Sequence, residues 1–142
     1  MSAQRIAEKV AEIMWADDHA ARGLGIEIVA VGPGAATLKM AVRPDMVNGH
    51  GSCHGAFIFA VADATFAYAC NSDNQRTVAS GADIDFLAPA MMGEVLTATA
   101  IRRQQGGRSG LYDVEVVNQD GRLIALFRGR AVRVKGHIFE PA

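Results

Sequence analysis

His54-Gly55-Ala56-Phe57-Ile58-Phe59-Ala60-Val61-Ala62-Asp63-Ala64-Thr65-Phe66-Ala67-Tyr68-Ala69-Cys70 reads as a helix that is apolar on every side, and Asp63 is the one carboxylate in it. A helix without a polar stripe must be surrounded rather than laid on a surface. Burying an ionised acid without a partner costs several kcal/mol or forces it to hold a proton. Asp63 is therefore paired, placed at an interface or used in chemistry, and the flanking sequence favours chemistry at a subunit interface.

Working outward, the chain supplies material to surround this helix. Ile6, Val10, Ile13 and Met14 recur at helical spacing with Lys9 and Glu12 between them, which predicts an amphipathic helix over residues 4 to 20, ended by Gly23 and Gly25. Residues 26–31 and 35–42 flank Gly32-Pro33-Gly34 and read as a hairpin. Beyond the polar turn at 71–75, four strand-like segments run to Val134, divided at 89–93, at 106–110 and at Asp120-Gly121. The fold class is α+β, with an antiparallel, strongly twisted sheet curled around a long central helix. With no repeat, linker or low-complexity tract, residues 1–142 read as a single domain whose N-terminal helix (1–22) packs on the sheet. One sheet cannot cover every side of the helix in so small a chain, so dimerisation is expected.

Composition narrows the function. Fourteen basic and fifteen acidic residues give a net charge of -1, so bulk attraction to nucleic acid or an anionic membrane is not expected. Neither a membrane span nor an export signal is legible, and a cytoplasmic location is expected. Cys53 and Cys70 are then free thiols.

The loop Met46-Val47-Asn48-Gly49-His50-Gly51-Ser52-Cys53-His54-Gly55 delivers Gly55 to the first helical turn, where amides lack intrahelical partners and the dipole is positive. A carbonyl oxygen gaining negative charge could be held by the Gly55 amide, with the Asn48 side chain as second donor; one such donor contributes about 3 kcal/mol in a transition state. Gly55 and Asp63 are eight residues apart, or about 12 Å and 80° on a straight helix. If both serve one reaction, the acid comes from a neighbouring subunit's antiparallel helix, and each dimer has two sites.

The segment His54-Gly55-Ala56-x-x-Phe59-Ala60-x-Ala62-Asp63, with Asn48 upstream and Ile84-Asp85-Phe86-Leu87-x-Pro89 downstream, resembles the hotdog-fold acyl-CoA thioesterases. The stretches 48–55, 66–72 and 125–129 are most similar to the phenylacetic acid degradation (PaaI) type, and the likeness spans roughly Gly23 to Arg133. The resemblance implies hydrolysis of an acyl-CoA thioester, with phenylacetyl-CoA or hydroxyphenylacetyl-CoA as leading substrates, in a homodimer that assembles into a homotetramer. It implies no cofactor and no metal, coenzyme A being part of the substrate. It also implies Asp63 as nucleophile or general base, Gly55 as oxyanion donor and Asn48 as an orienting polar group. Related enzymes place a serine or threonine on the strand after the helix to hold water; here 78–83 reads Val-Ala-Ser-Gly-Ala-Asp, leaving Ser80 as the only hydroxyl.

Thioesters suit a single carboxylate and an oxyanion hole, because they lack ester resonance and the thiolate leaves readily. No Gly-x-Ser-x-Gly elbow supplies a serine nucleophile. His54 reads as support for the loop or the helix start, beside the substrate. His50, Cys53 and His54 lack a fourth ligand and do not make a metal site. Arg108, in a glycine-rich turn, is a candidate for the coenzyme A phosphates. Phe57, Phe59 and Phe66 are candidates for an aryl-sized acyl pocket. Asp83 and Asp85 share a strand face and read as solvated or interface-bonded acids. A non-enzymatic acyl-CoA sensor and a hotdog dehydratase or hydratase are the alternatives; the first lacks an output module and the second a well-placed histidine–acid pair.

Overall fold

Ser2 opens helix α1 (Ala3–Asp17), its hydroxyl accepting a hydrogen bond from the Arg5 amide at 3.1 Å. In this computed structural model, which describes residues 1–142, the single helix expected over residues 4 to 20 is divided by Asp18. Its Oδ1 accepts from the Ala21 amide and caps a short helix α2 (His19–Gly23), while its Oδ2 accepts from the Tyr68 hydroxyl at 3.0 Å. A side chain tied to both partners cannot lie inside a continuous helix.

Strands β1 (Glu27–Gly32) and β2 (Ala35–Ala41) form the expected hairpin, closed by Pro33 and a positive-φ Gly34. A 3-10 turn at Pro44–Met46 leads to α3 (Gly55–Cys70), followed by β3 (Thr77–Phe86), β4 (Val95–Gly106), β5 (Ser109–Val117) and β6 (Leu123–Arg133). The strands form one antiparallel sheet in the order β1-β2-β4-β5-β6-β3, with α3 packed on its inner face: the hotdog fold. Alternation decides what faces the helix. Leu38 and Met40 from β2, Leu96 from β4, Val114 and Val116 from β5 and Phe127 from β6 are buried against it.

The two sheet edges differ. At β1, α1 lies alongside and Gln4 donates to the Val31 carbonyl at 2.8 Å. At β3 nothing covers the edge, and of its ten residues only Thr77 is buried. The helix is also unevenly enclosed. Ile58, Val61, Ala62, Thr65, Phe66, Tyr68 and Ala69 are buried, whereas Ala56 is exposed and Phe59, Ala60, Asp63, Ala64 and Ala67 are half-buried, at the three- and four-residue spacing of one helix face. Sheet and helix thus leave one continuous side uncovered.

Candidate functional site

Two features of the uncovered side carry chemistry. The first is the start of α3. His54 sits at the N-cap in extended conformation, its side chain gives no capping bond, and the amides of Gly55 and Ala56 have no acceptor within the chain. Two amide N–H groups at the positive end of a sixteen-residue helix are thus available to an anion. Gly55 lines a cleft of about 440 Å³ together with Ser52, Cys53, Ile58 and the 86–90 segment. Gly55 is required there by space: a Cβ at this position would lie 2.8 Å from Cζ of Phe86, whose ring rests on the glycine while remaining 52% exposed.

Asn48 belongs to this end. Its Oδ1 accepts from the His50 amide at 2.9 Å and the Ser52 amide at 3.1 Å, which folds the loop and leaves its exposed Nδ2 group free to donate. Main-chain bonds fix the loop from outside: the Cys53 amide donates to Ala90 O at 2.7 Å and the His54 amide to Met46 O at 2.8 Å. The imidazole of His54 departs from expectation. It is exposed and makes no hydrogen bond in the chain, because backbone groups already hold the loop and the helix start.

The second feature is Asp63. No hydrogen bond or ion pair engages its carboxylate, and no cation offsets its burial, which raises its pKa above the ordinary carboxylate value. Pairing with an arginine or lysine of the same chain is thereby excluded. The arginines of β6 are taken elsewhere: Arg130 pairs with Asp83 at 2.7 Å and Arg128 with Asp113 at 2.7 Å. Asp83 is thus a solvated acid, as expected, that also carries an exposed ion pair to Arg130. The raised pKa fixes the sign of a pH effect. A reaction that needs the carboxylate form loses rate as pH falls through that raised value, so the acid limb of kcat/KM is expected above the usual aspartate range. A profile flat down to the ordinary value would exclude Asp63 as its origin.

The other candidates separate in space. Phe59 is half-buried on the uncovered face, edge-on to Phe127 with centroids 5.3 Å apart. Phe66 is a correction. It is fully buried, its ring tilted against those of Tyr112 and Phe127 and roofed by Gly129, where a Cβ would meet its ring at 2.7 Å, so it belongs to the core and not to an acyl pocket. Ser80 lies at a bulge in β3, exposed, its hydroxyl donating to Arg130 O at 3.2 Å. Arg108 stands at the β4–β5 turn near the Thr77 end of β3, remote from Gly55. Both cysteines are free and buried; Cys53 is raised by burial and Cys70 is pushed up to about 12, so neither is a ready thiolate.

Sequence reasoning places Phe86 only within the 84–89 motif and does not foresee its cover over Gly55, and it misses the second free amide at Ala56. The helix start was the available signal for Ala56; nothing local marks the contact of Phe86 with Gly55, which spans about thirty residues of chain. Within one chain, then, Asn48 and Gly55 are together and Asp63 lies about 12 Å further along the helix.

Comparison with known proteins places this arrangement. The acyl-coenzyme A thioesterase PaaI of Escherichia coli (strain K12) is 48% identical over 128 residues, covering 90% of this chain and 91% of the relative. The solved E. coli PaaI structure superposes with a TM-score of 0.94 at 46% identity, covering 96% of this chain and 99% of that one. A phenylacetic acid degradation protein PaaI from Thermus thermophilus, solved as a mutant, follows at 0.77 and 35% identity, covering 80% and 97%. Residues 50–125, which include α3 with Gly55 and Asp63, match the thioesterase superfamily profile, and the chain belongs to that superfamily of enzymes.

Proposed function

We propose that the chain hydrolyses acyl-CoA thioesters, with phenylacetyl-CoA or its hydroxylated relatives as substrate, at a site shared between two subunits. The observation that carries this reading is Asp63, a half-buried carboxylate with neither cation nor hydrogen-bond donor, on the helix face that its own sheet leaves uncovered. The bare edge of β3 beside that face supports a two-fold partner, with α3 helices antiparallel across the axis. Bringing Asp63 of the partner subunit over Gly55 places the axis beside Phe59, midway between them. The dimer pairs again into a homotetramer, working in the cytoplasm without metal or cofactor.

In the shared site the thioester oxygen lies against the Gly55 and Ala56 amides, with Asn48 Nδ2 and His54 at its side. As general base, the Asp63 carboxylate takes a proton from water while the water oxygen bonds to the acyl carbon. The carbonyl electrons move onto the oxygen held by the amides. Collapse re-forms the carbonyl and breaks the carbon–sulfur bond, and the proton on Asp63 passes to the departing coenzyme A sulfur. As nucleophile, Asp63 would itself bond to the acyl carbon, expel the thiolate and form a mixed anhydride that water then opens. Trapping the anhydride separates the two routes. In this reading Ser80 orients water, Phe59 touches the acyl group and Arg108 meets the phosphates.

A thiol-release screen over acetyl-, butyryl-, hexanoyl-, benzoyl-, phenylacetyl- and hydroxyphenylacetyl-CoA tests the reading. The highest kcat/KM is expected for the arylacetyl thioesters. Release from none of the panel, with ligand binding retained, would favour a sensor over a hydrolase.

A further inference from the structure

Phe86 packs where the core does not call for it. As the last residue of β3 it pairs with Ala125 of β6, and the next two amides, of Leu87 and Ala88, donate to the Ile124 carbonyl at 2.8 and 3.3 Å. Two positions earlier Ile84 pairs with Phe127 and packs against the core, so alternation turns Phe86 to the same face of the strand. Phe86 nevertheless stays outside the hydrophobic core and half in water. Its ring reaches α3 at the first residue.

The ring meets Gly55 tip first. A Cβ on Gly55 would lie 2.8 Å from Cζ of Phe86 and 3.2 and 3.3 Å from Cε1 and Cε2, so the end of the ring takes the space of the missing side chain. The other end of the same segment is tied to the site by main chain alone, through Ala90 O on the Cys53 amide at 2.7 Å and the bridge between Ser52 and Met91. Those bonds already hold the loop. The ring therefore adds something that neither the core nor the loop requires.

A glycine at the head of a helix has a weakness as a donor to an oxyanion. Its backbone has more freedom than that of any other residue, and its amide, like that of Ala56, has no acceptor within the chain to hold it. Such a donor contributes most when its direction is set before charge develops and when water does not compete for it. A ring seated on the Cα supplies both, as a stop against movement of the peptide and as an apolar wall beside it.

We propose that Phe86 is a positioning residue for the oxyanion amides: its ring tip, seated in the space left by the absent Gly55 side chain, fixes their direction and keeps water off that flank. The inference rests on the hydrolase reading for the reaction that the amides serve. Because the ring acts on charge that develops in the transition state, its loss falls on kcat and spares KM.

The test compares Phe86→Leu, Gly55→Ala and the double variant with wild type on phenylacetyl-CoA. Both single changes break one contact, the first by deleting the tip and the second by filling its seat while keeping the amide. Each is expected to lower kcat about fivefold with KM within about twofold, and the double variant to lose about fivefold in total rather than the roughly twenty-fivefold of independent effects. A rise in KM at unchanged kcat, which marks a wall that only touches substrate, or multiplicative losses overturn the inference. NMR order parameters of the Gly55 and Ala56 amides keep it apart from the hydrolase reading. Wild type should give rigid values of about 0.85, falling toward about 0.6 in Phe86→Leu while the rest of α3 is unchanged. That fall upholds the positioning role even if no thioester is hydrolysed; unchanged values, or a loss of order spread along α3, overturn it even if hydrolysis is rapid.

Discussion

Asp63→Asn is expected to lower kcat on the preferred thioester by about a thousandfold, the range for losing a positioned acid–base group, while substrate still binds. The replacement keeps the size of the side chain and removes only its ability to accept a proton or to attack. A damaged fold would give the same loss of rate, so the stability change matters as much. Burial raises the pKa of Asp63 in the folded chain, so folding loses stability as pH climbs from the ordinary aspartate value through the raised one. Above that window the asparagine variant is spared the cost. Its Tm should match or exceed that of wild type at neutral pH, and the gain should vanish in acid, where the wild-type carboxyl is protonated. Unchanged turnover would remove Asp63 from the mechanism, and a lower Tm at neutral pH would mean that the carboxylate has a stabilising partner in the assembly.

Gly55→Pro should cost about a hundredfold in kcat by deleting one oxyanion donor without ending the helix. Proline is accepted at the first helical position, and His54 before it is already extended, at φ -60° and ψ 139°, as a residue preceding proline must be. The added ring atoms would displace Phe86, which is exposed enough to swing aside. The larger consequence appears on mixing. Subunits carrying Asp63→Asn and subunits carrying Gly55→Pro are each crippled at both sites, but a hybrid dimer has one site with both native groups. Random reassortment makes half of the dimers hybrids, so activity should recover to about a quarter of wild type. A site contained in one chain would show no recovery.

Much of this was legible from sequence because the decisive signals are local. Alternation marked the strands, Pro33 and Gly34 marked the hairpin, and the absence of a polar stripe marked α3 as an enclosed helix. The isolation of Asp63 was legible for the same reason. What remained hidden depends on partners distant in sequence. The break at Asp18 follows from a bond to Tyr68, fifty residues away, and the hold of Asn74 on the C-terminal tail from amides more than sixty residues on. Phe59 and Phe66 could not be told apart because a uniformly apolar helix has no phase; only the ring of Phe66 fitting over Gly129 decides which one faces the sheet. The bulge at Ser80 has no local sequence mark and shifts the register on which any guess about that strand depends.

The polar stretch 71–75 looks like a disposable connection, yet it ties the end of α3 to the start of β3 and fastens two distant parts of the chain. Asn71 closes the end of α3 onto Thr77, and Ser72 accepts from the Gly34 amide of the first hairpin at 2.7 Å. Asn74 holds the tail. Anyone cutting this protein to graft a tag, a fused partner or new termini should leave that knot whole and choose the solvent-facing turn at Asp120-Gly121.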